Sequence, residues 1–439
     1  MPKRLWPIAA GYIILSTAAL WRLQVYPSAV PNADALLYLL QGIELQQTGT
    51  IAVIGVRTYG YPLLISLYAN IAGVALPSIT LAAGVIQLAV YAAVVAWLAS
   101  RFENPEAGAF AIGLLLNPVL VALVADVLTE GPSMILILLA LACLVQADRG
   151  RPALAWLTLG ASVSNFAPMV RPANLVLLIA WNVGVVTLLC RHRSPRLAAG
   201  YAVAFVATGA LALLPQYLIA GSLLPQGGSL AFQTMFGIGV MKYASAVDPT
   251  GVAQSLVIPN PWCTELLSYA SAWMWHVAHP WNSLATMAAH VFASFTFETP
   301  FTYVYATAPA YSALFAGAMW FVAAVGALNL GTVVHGLRLT PIVAMVATLF
   351  VLTLGLVSLI AVENRFNLVP VAVLSVLAAH FALRKATPAA RAAVLMLALC
   401  VAVIGAIASH HMQASARVLP ALRHGCIETD MNYTNPPIG

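Results

Sequence analysis

Charge is what this sequence has least of. Only 7% of its 439 residues are charged, against 62% hydrophobic, a balance that excludes a soluble globular domain. It has few cysteines, five in all, with no Cys-x-x-Cys pair, no Walker loop and no dinucleotide-type glycine pattern. Nucleotide-driven transport and soluble nucleotide-sugar chemistry therefore have no support. Internal repeats, heptads and low-complexity tracts are also missing. The net charge of +6 in so apolar a chain bears on membrane orientation rather than on nucleic acid.

What is present is a series of apolar runs of about 18–25 residues, the length a helix needs to cross a bilayer. A β-barrel would show short alternating segments instead. The fold class expected is an all-α polytopic membrane protein of about eleven transmembrane helices, over 6–22, 79–100, 106–124, 131–147, 153–169, 172–190, 198–220, 309–334, 341–361, 366–383 and 391–408. The basic lead "MPKRLWP" reads as an uncleaved first helix with Lys3 and Arg4 in the cytoplasm. If each span then flips the side, the cytoplasmic segments hold twelve of the 19 basic residues. These are Lys3, Arg4, Arg101, Arg149, Arg151, Arg191, Arg193, Arg196, Arg338, Arg384, Lys385 and Arg391, mostly in short loops, as the positive-inside bias requires. Of the 13 acidic residues only Glu103, Glu106 and Asp148 share that side.

The whole chain, 1–439, is expected to be a single membrane domain, with two long stretches and the tail on the outer side of the membrane. The first outer loop, 23–78, begins a helix near Pro31 and Asn32, with Leu36, Leu40 and Ile43 forming one apolar stripe while Asp34, Tyr38 and Gln41 face elsewhere. This reads as a helix lying on the membrane surface. Making the apolar run 61–76 a span would move every later arginine outside, so it is expected to be interfacial or re-entrant. The large outer loop, 221–305, carries Trp262, Trp273, Trp275 and Trp281, suited to headgroup depth. The polar tail is 409–439.

Separate outer turns far apart in sequence collect charges on this one face: Asp34, Arg57 and Tyr59 from the first loop, Asp126 and Glu130 from "VADVLTEGP", Arg171 from "MVRPANL", and Glu363 with Arg365 from "VENRFNLVP". A charge at a membrane boundary is costly unless water, a partner or a polar ligand meets it.

The ordered set of an acidic residue in an early surface helix, then "RTYGYPLLISL", "LTEGPSMILILLALACL", "VRPANLVLLIAW" and "ENRFNLVPVAVL", resembles the polytopic GT-C glycosyltransferases. The nearest branches in appearance are the dolichyl-phosphate-mannose–protein mannosyltransferase-like and aminoarabinose-transferase-like ones. The resemblance covers about 1–200 and 355–385. It departs from the pattern at Asp34, which is followed by Ala35 rather than by a second acid.

The resemblance implies an enzyme of a bacterial inner membrane, N-terminus inside and C-terminus outside. Such an enzyme moves a sugar from a polyprenyl phosphate to an acceptor on lipid, protein or polysaccharide. It implies Asp34 as the base, with Glu130 or Asp126 orienting the acceptor or assisting. Arg57, Arg171 and Arg365, and more weakly Lys242, would meet the donor phosphate, with Tyr59 and Glu363 in support. No cofactor is required, although Asp34 with a second acid offers a divalent metal a site.

Each residue also has a plainer reading. Asp34 falls in a first helical turn, where an acid complements the helix dipole. Asp126 and Glu130 suit a solvated turn, and Arg171 suits an interfacial anchor. Glu363 and Arg365 suit a mutual pair. Among the histidines, His276, His279, His410 and His411 have no evident carboxylate or cysteine companion in sequence, and Cys263 with Cys426 form a candidate disulfide. Rival functions are a flippase of lipid-linked sugars, which should hold its polar groups near mid-membrane, and a glycan polymerase or ligase, which should have an outer loop rich in arginine and histidine. The topology predicts that Cys190, beside Arg191, reacts in intact cells with membrane-permeant thiol reagents only. Labelling by an impermeant maleimide would invert the orientation.

Overall fold

Every apolar run expected to span is helical, with one interruption. The computed structural model describes residues 6–25, 33–51, 58–103, 105–149, 152–220, 242–246, 256–262, 265, 268–269, 271–296, 309–334, 339–359, 364–384 and 387–418. The side chains of 23–25, 33–34, 220, 242–246, 256–259, 309–313, 331–334, 364–365 and 412–418 lie outside that description. Two compact units share the chain. The first comprises Met1–Gly228, Gly326–Leu352 and Ala372–Lys385; the second comprises Ser229–Val325, Thr353–Val371 and Ala386–Gly439.

The N-terminal half supplies α1 (Trp6–Val25), α2 (Ala33–Thr48), α3 (Gly60–Ala72), α4 (Leu76–Ala99), α5 (Glu106–Leu115), α6 (Pro118–Ala125), α7 (Glu130–Arg149), α8 (Ala153–Val170), a 3-10 turn over Pro172–Asn174, α9 (Leu175–His192) and α10 (Pro195–Ala220). Then follow β1 (Lys242–Ala246), β2 (Leu256–Pro259), α11 (Ala272–Ala278), α12 (Pro280–Ser294), α13 (Pro309–Val334), α14 (Pro341–Leu359), a second 3-10 turn over Asn364–Asn367, α15 (Leu368–Leu383) and α16 (Pro388–Val418). The short strands pair antiparallel, Ala246 opposite Leu256, with an irregularity between Lys242 and Ala244. They are the one departure from an all-helical chain among the described residues. Seven of the described helices are long and apolar enough to cross a membrane, and the bent pair α5–α6 makes up to eight.

The distribution of polarity is that of a membrane protein. Outward-facing Val203, Val206, Leu211 and Leu218 of α10 are exposed, while Ser133, Ser164, Asn117 and Asn174 are buried. Polar groups inside and aliphatic groups outside is the arrangement a hydrocarbon solvent selects.

The interruption falls in 106–124, expected as one continuous span. After Leu115 the chain leaves the helical path at Asn117, whose Oδ1 accepts from the Val119 and Leu120 amides at 2.9 and 3.2 Å. Pro118 has no N–H to continue the ladder and opens the new helix instead. The two pieces meet at 57°. The Asn117 amide also donates to Ser375 Oγ of α15 at 2.7 Å, so the freed backbone groups and the capping side chain are both anchored.

The helices α2 and α3 pack together in the first unit. With 13 residues, α3 is about 20 Å long, short of the roughly 30 Å of hydrocarbon, in keeping with an interfacial or re-entrant segment. Its Tyr61, Ile65, Tyr68 and Ala69 form a buried cluster with Leu39 of α2, Ile79 and Ala83 of α4, Val127, and Val170 of α8. The α2 face in that packing is a different one from the expected membrane-facing stripe. Ala35, Leu39 and Gly42 are buried, whereas Leu36 and Ile43 are only half-buried and Leu40 is exposed. Two helices approach closely through small residues, which leaves the bulkier leucines to the surrounding medium.

Gly60 sets the approach of α3 to α8. A Cβ there would lie 2.4 Å from the Met169 carbonyl oxygen and 2.8 Å from the Val170 nitrogen, backbone atoms with no rotamer to yield. Gly60→Ala is therefore expected to destabilise the protein by about 1–3 kcal/mol, read as a lower melting temperature in lipid nanodiscs. A variant as stable as the parent would show that this contact relaxes freely.

Candidate functional site

The first unit has two chemically different ends. Twenty residues in α7 make a rod of about 30 Å, so Glu130 at one tip and Arg149 at the other lie a bilayer core apart. At the Arg149 end the basic residues are exposed. Arg101, Arg193, Arg196 and Arg384 face outward, and Arg191 reaches Asp148 at 3.4 Å with most of its side chain in the open.

At the Glu130 end two buried carboxylates are each paired with a half-buried guanidinium among the described residues. Arg171 Nη1 donates to Glu130 Oε1 at 2.9 Å, and the Glu130 side chain is 1% exposed. Arg22 Nη2 meets Asp126 Oδ1 at 3.1 Å. Local sequence explains how each group arrives. Arg171 follows α8 in extended backbone because Pro172 forces it out of the helix. The 3-10 turn that follows brings Asn174 back, donating to Ala167 O at 3.0 Å and to Ser133 Oγ of α7 at 2.9 Å. Ser133 in turn donates to Thr129 O. The chain on either side of the ion pair is thus pinned between α7 and α8.

The two carboxylates differ in what holds them. Glu130 sits in the first turn of α7, where the helix dipole favours an acid, and Arg171 lies beyond the C-terminus of α8, where it favours a cation. Asp126 caps the C-terminus of α6, the end at which the dipole opposes a negative charge. It is held by Arg22, itself in the last turn of α1.

Beside Glu130 lies a neutral polar cluster. Tyr61 is fully buried, and its phenol is pushed well above its usual range, first by burial and then by its neighbours Tyr68, Glu130 and Tyr38. It remains an intact hydroxyl. Gln87 of α4 comes so close to α7 that a Cβ on Gly131 would fall 2.4 Å from its Oε1.

The remaining expected residues are distributed as follows. Asp34 lies in the first turn of α2, in the first unit, its side chain outside the described residues. Arg57 and Glu363 lie outside the described residues. Lys242 is in β1 and Arg365 in the second 3-10 turn, both in the second unit, their side chains also outside the description. Tyr59 is a packing residue, buried, with its hydroxyl donating to Ala212 O at 2.8 Å and its pKa pushed up to about 12 by burial. Cys263 and Cys426 lie outside the described residues; Cys143, Cys190 and Cys400 are free thiols.

In the second unit one of the four histidines, His279, does have a carboxylate companion. His279 Nε2 lies 2.9 Å from Glu265 Oε1 and 2.8 Å from the Tyr269 hydroxyl, a pairing across 14 residues that spacing does not announce. His276 Nδ1 meets Ser283 Oγ at 2.5 Å, and burial, then nearby His290, lowers its pKa so that it stays neutral. The four tryptophans differ in burial. Trp275 is a core residue, whereas Trp281 is 80% exposed.

Sequence reading passed over Arg22, Gln87, Tyr61 and Asn174. Arg22 closes α1 and Asn174 stands three residues after Arg171, so each offered a positional signal; Gln87 lies inside an apolar run and offered only its polarity.

Comparison of the chain with family models, with curated proteins and with solved structures finds no match in any of the three.

Because Glu130 is buried, Arg171→Ala is expected to cost about 3–5 kcal/mol by stranding its charge. Adding Glu130→Gln should recover much of that loss in denaturation of the purified protein. Equal or additive losses in the double variant would mean that the pair is not coupled.

Proposed function

We propose that this protein is a membrane glycosyltransferase that moves a sugar from a polyprenyl-phosphate donor to an acceptor hydroxyl by a single inverting displacement. The proposal includes eleven spans, with the N-terminus in the cytoplasm of a bacterial cell, the C-terminus outside and the reaction on the outer face of the inner membrane. The observation that carries it is the contrast between the ends of the first unit. One end exposes its arginines, as a cytoplasmic face does; the other holds two buried carboxylates, each against a half-buried guanidinium.

The chemistry asks for this combination. A carboxylate takes the proton from the acceptor hydroxyl as its oxygen attacks the anomeric carbon. The bond from that carbon to the phosphate oxygen breaks on the opposite side, and cations balance the charge gathering on the departing lipid phosphate. Asp34 is the base in this proposal. It stands five residues before Leu39 on α2, and Leu39 packs in the same cluster as Val127 and Val170, the sequence neighbours of Asp126 and Arg171. A guanidinium offers five N–H donors, enough for a carboxylate and phosphate oxygens together, so Arg171 serves as phosphate ligand while Glu130 orients it. Arg57 is the further phosphate ligand, and the acceptor is a lipid, protein or polysaccharide hydroxyl.

Asp34→Asn should leave the protein folded in membranes while reducing transfer from a radiolabelled polyprenyl-phosphate sugar by about 10²-fold or more. Undiminished transfer would remove Asp34 from the mechanism.

A further inference from the structure

Two arginines at the Arg149 end stand together without an anion. Asp148 is taken by Arg191 at 3.4 Å, with His192 at 4.0 Å from the same oxygen. Arg101 and Arg149 are exposed. Among the described residues no carboxylate comes within ion-pair distance of either, Glu103 and Glu106 included. Yet both guanidiniums are held in place. Arg149 Nη1 donates to the Arg101 carbonyl. With its amide oxygen turned toward the guanidinium, Gln146, one turn before Arg149 on α7, accepts from Arg101 Nη2 at 3.2 Å and Nε at 3.1 Å. Arg101 Cζ lies 5.6 Å from the centre of the Trp97 ring. The two forks thus share one patch on neutral acceptors, which leave the charge uncompensated and most of the N–H donors unused.

The surroundings suit a lipid. Helix α4 presents one stripe in the order Val90, Ala93, Trp97 and Arg101, with Val90 and Ala93 exposed. That face is aliphatic along the helix, aromatic near its end and cationic just past it. Trp156 of α8 meets Trp97 with 6.0 Å between ring centres. Tryptophan settles at headgroup depth, and a long cationic side chain just beyond it reaches the phosphates. The C-termini of α4 and α7 favour a cation, which seats the arginines here and leaves the net charge of the patch unmet.

We propose that Arg101 and Arg149 seat the phosphodiester of an anionic phospholipid from the leaflet on that side of the membrane. Trp97 and Trp156 then lie level with its glycerol, and the Val90–Ala93 face of α4 runs along an acyl chain. The forks suit this ligand. The non-bridging oxygens of a phosphodiester share one negative charge, and a guanidinium meets such oxygens with parallel N–H donors. A zwitterionic headgroup carries the same phosphate together with a cation that the arginines repel. An anionic headgroup brings no such cation, so the charge of the patch selects it. The seat joins the ends of α4 and α7 through a lipid and owes nothing to the transferase chemistry.

The experiment is a lipid titration of the full chain, purified in detergent and stripped of lipid, read by native mass spectrometry. Phosphatidylglycerol is the probe, phosphatidylcholine the control lipid and inorganic phosphate the competitor. Ammonium acetate at about 0.15 M screens charges more than about 8 Å away. The parent is expected to bind one phosphatidylglycerol about tenfold more tightly than phosphatidylcholine. Arg101→Gln with Arg149→Gln should weaken that binding about 20-fold, from about fivefold for each arginine near a headgroup. Arg193→Gln with Arg196→Gln, exposed at the same end, should change it less than about twofold, because screening isolates them from the seat. Equal losses in the two pairs would mean a diffuse basic surface and overturn the proposal, as would equal binding of the two lipids. Displacement of the lipid by millimolar phosphate would assign the site to a free anion and overturn it too. Arg101→Lys with Arg149→Lys keeps the charge and removes the forks. Undiminished binding in that pair overturns the proposal even where the glutamine pair fails to fold.

Discussion

A carboxylate carried out of water must keep a cation beside it, and the first unit is organised around that requirement at Glu130. The pair with Arg171 holds the start of α7 to the end of α8. Asn174 and Ser133 fasten the same two helices one turn further on. Gly60 lets α3 lie directly on the backbone just before Arg171, and α2 follows through Leu39. Loss of the pair would leave a full charge in a low dielectric, an expense larger than that of any single apolar contact nearby. The surrounding geometry therefore has little freedom.

The break in the third expected span serves the same end of the molecule. By stopping at Asn117 and restarting at Pro118, the chain redirects α6 so that it finishes at Asp126, against Arg22. An acid at a helix C-terminus is disfavoured by the dipole, and the Arg22 guanidinium offsets that cost. The opposite end holds its charges in the open, where they are cheap, and resembles an ordinary membrane-flanking surface.

Much of this was legible in the residues. The apolar runs announce helices because hydrocarbon leaves the backbone no other partner than itself. The arginine loops separate the two ends, and the "TEGP" and "VRPAN" turns mark Glu130 and Arg171. The "LNPV" of 116–119 contained its own signal, an N-cap residue before a proline, but length and hydropathy outweigh it when the run is read as a whole. The α2 stripe of Leu36, Leu40 and Ile43 was legible, but the opposite, protein-facing side of Ala35, Leu39 and Gly42 was not, because small residues carry little signal on a helical wheel. His279 with Glu265, and the burial of Trp275, depend on how the chain turns among the described residues of 260–294.

Composition and the placement of charge by themselves determined that this is a helical membrane protein whose ends differ, because transfer of residues between water and hydrocarbon is a local property of each segment. Which carboxylate meets which guanidinium, where a span bends, and which polar atoms are left facing one another were decided only by tertiary structure. Those depend on distances between segments far apart in the chain, and a few ångströms settle whether a buried charge is stabilised or stranded.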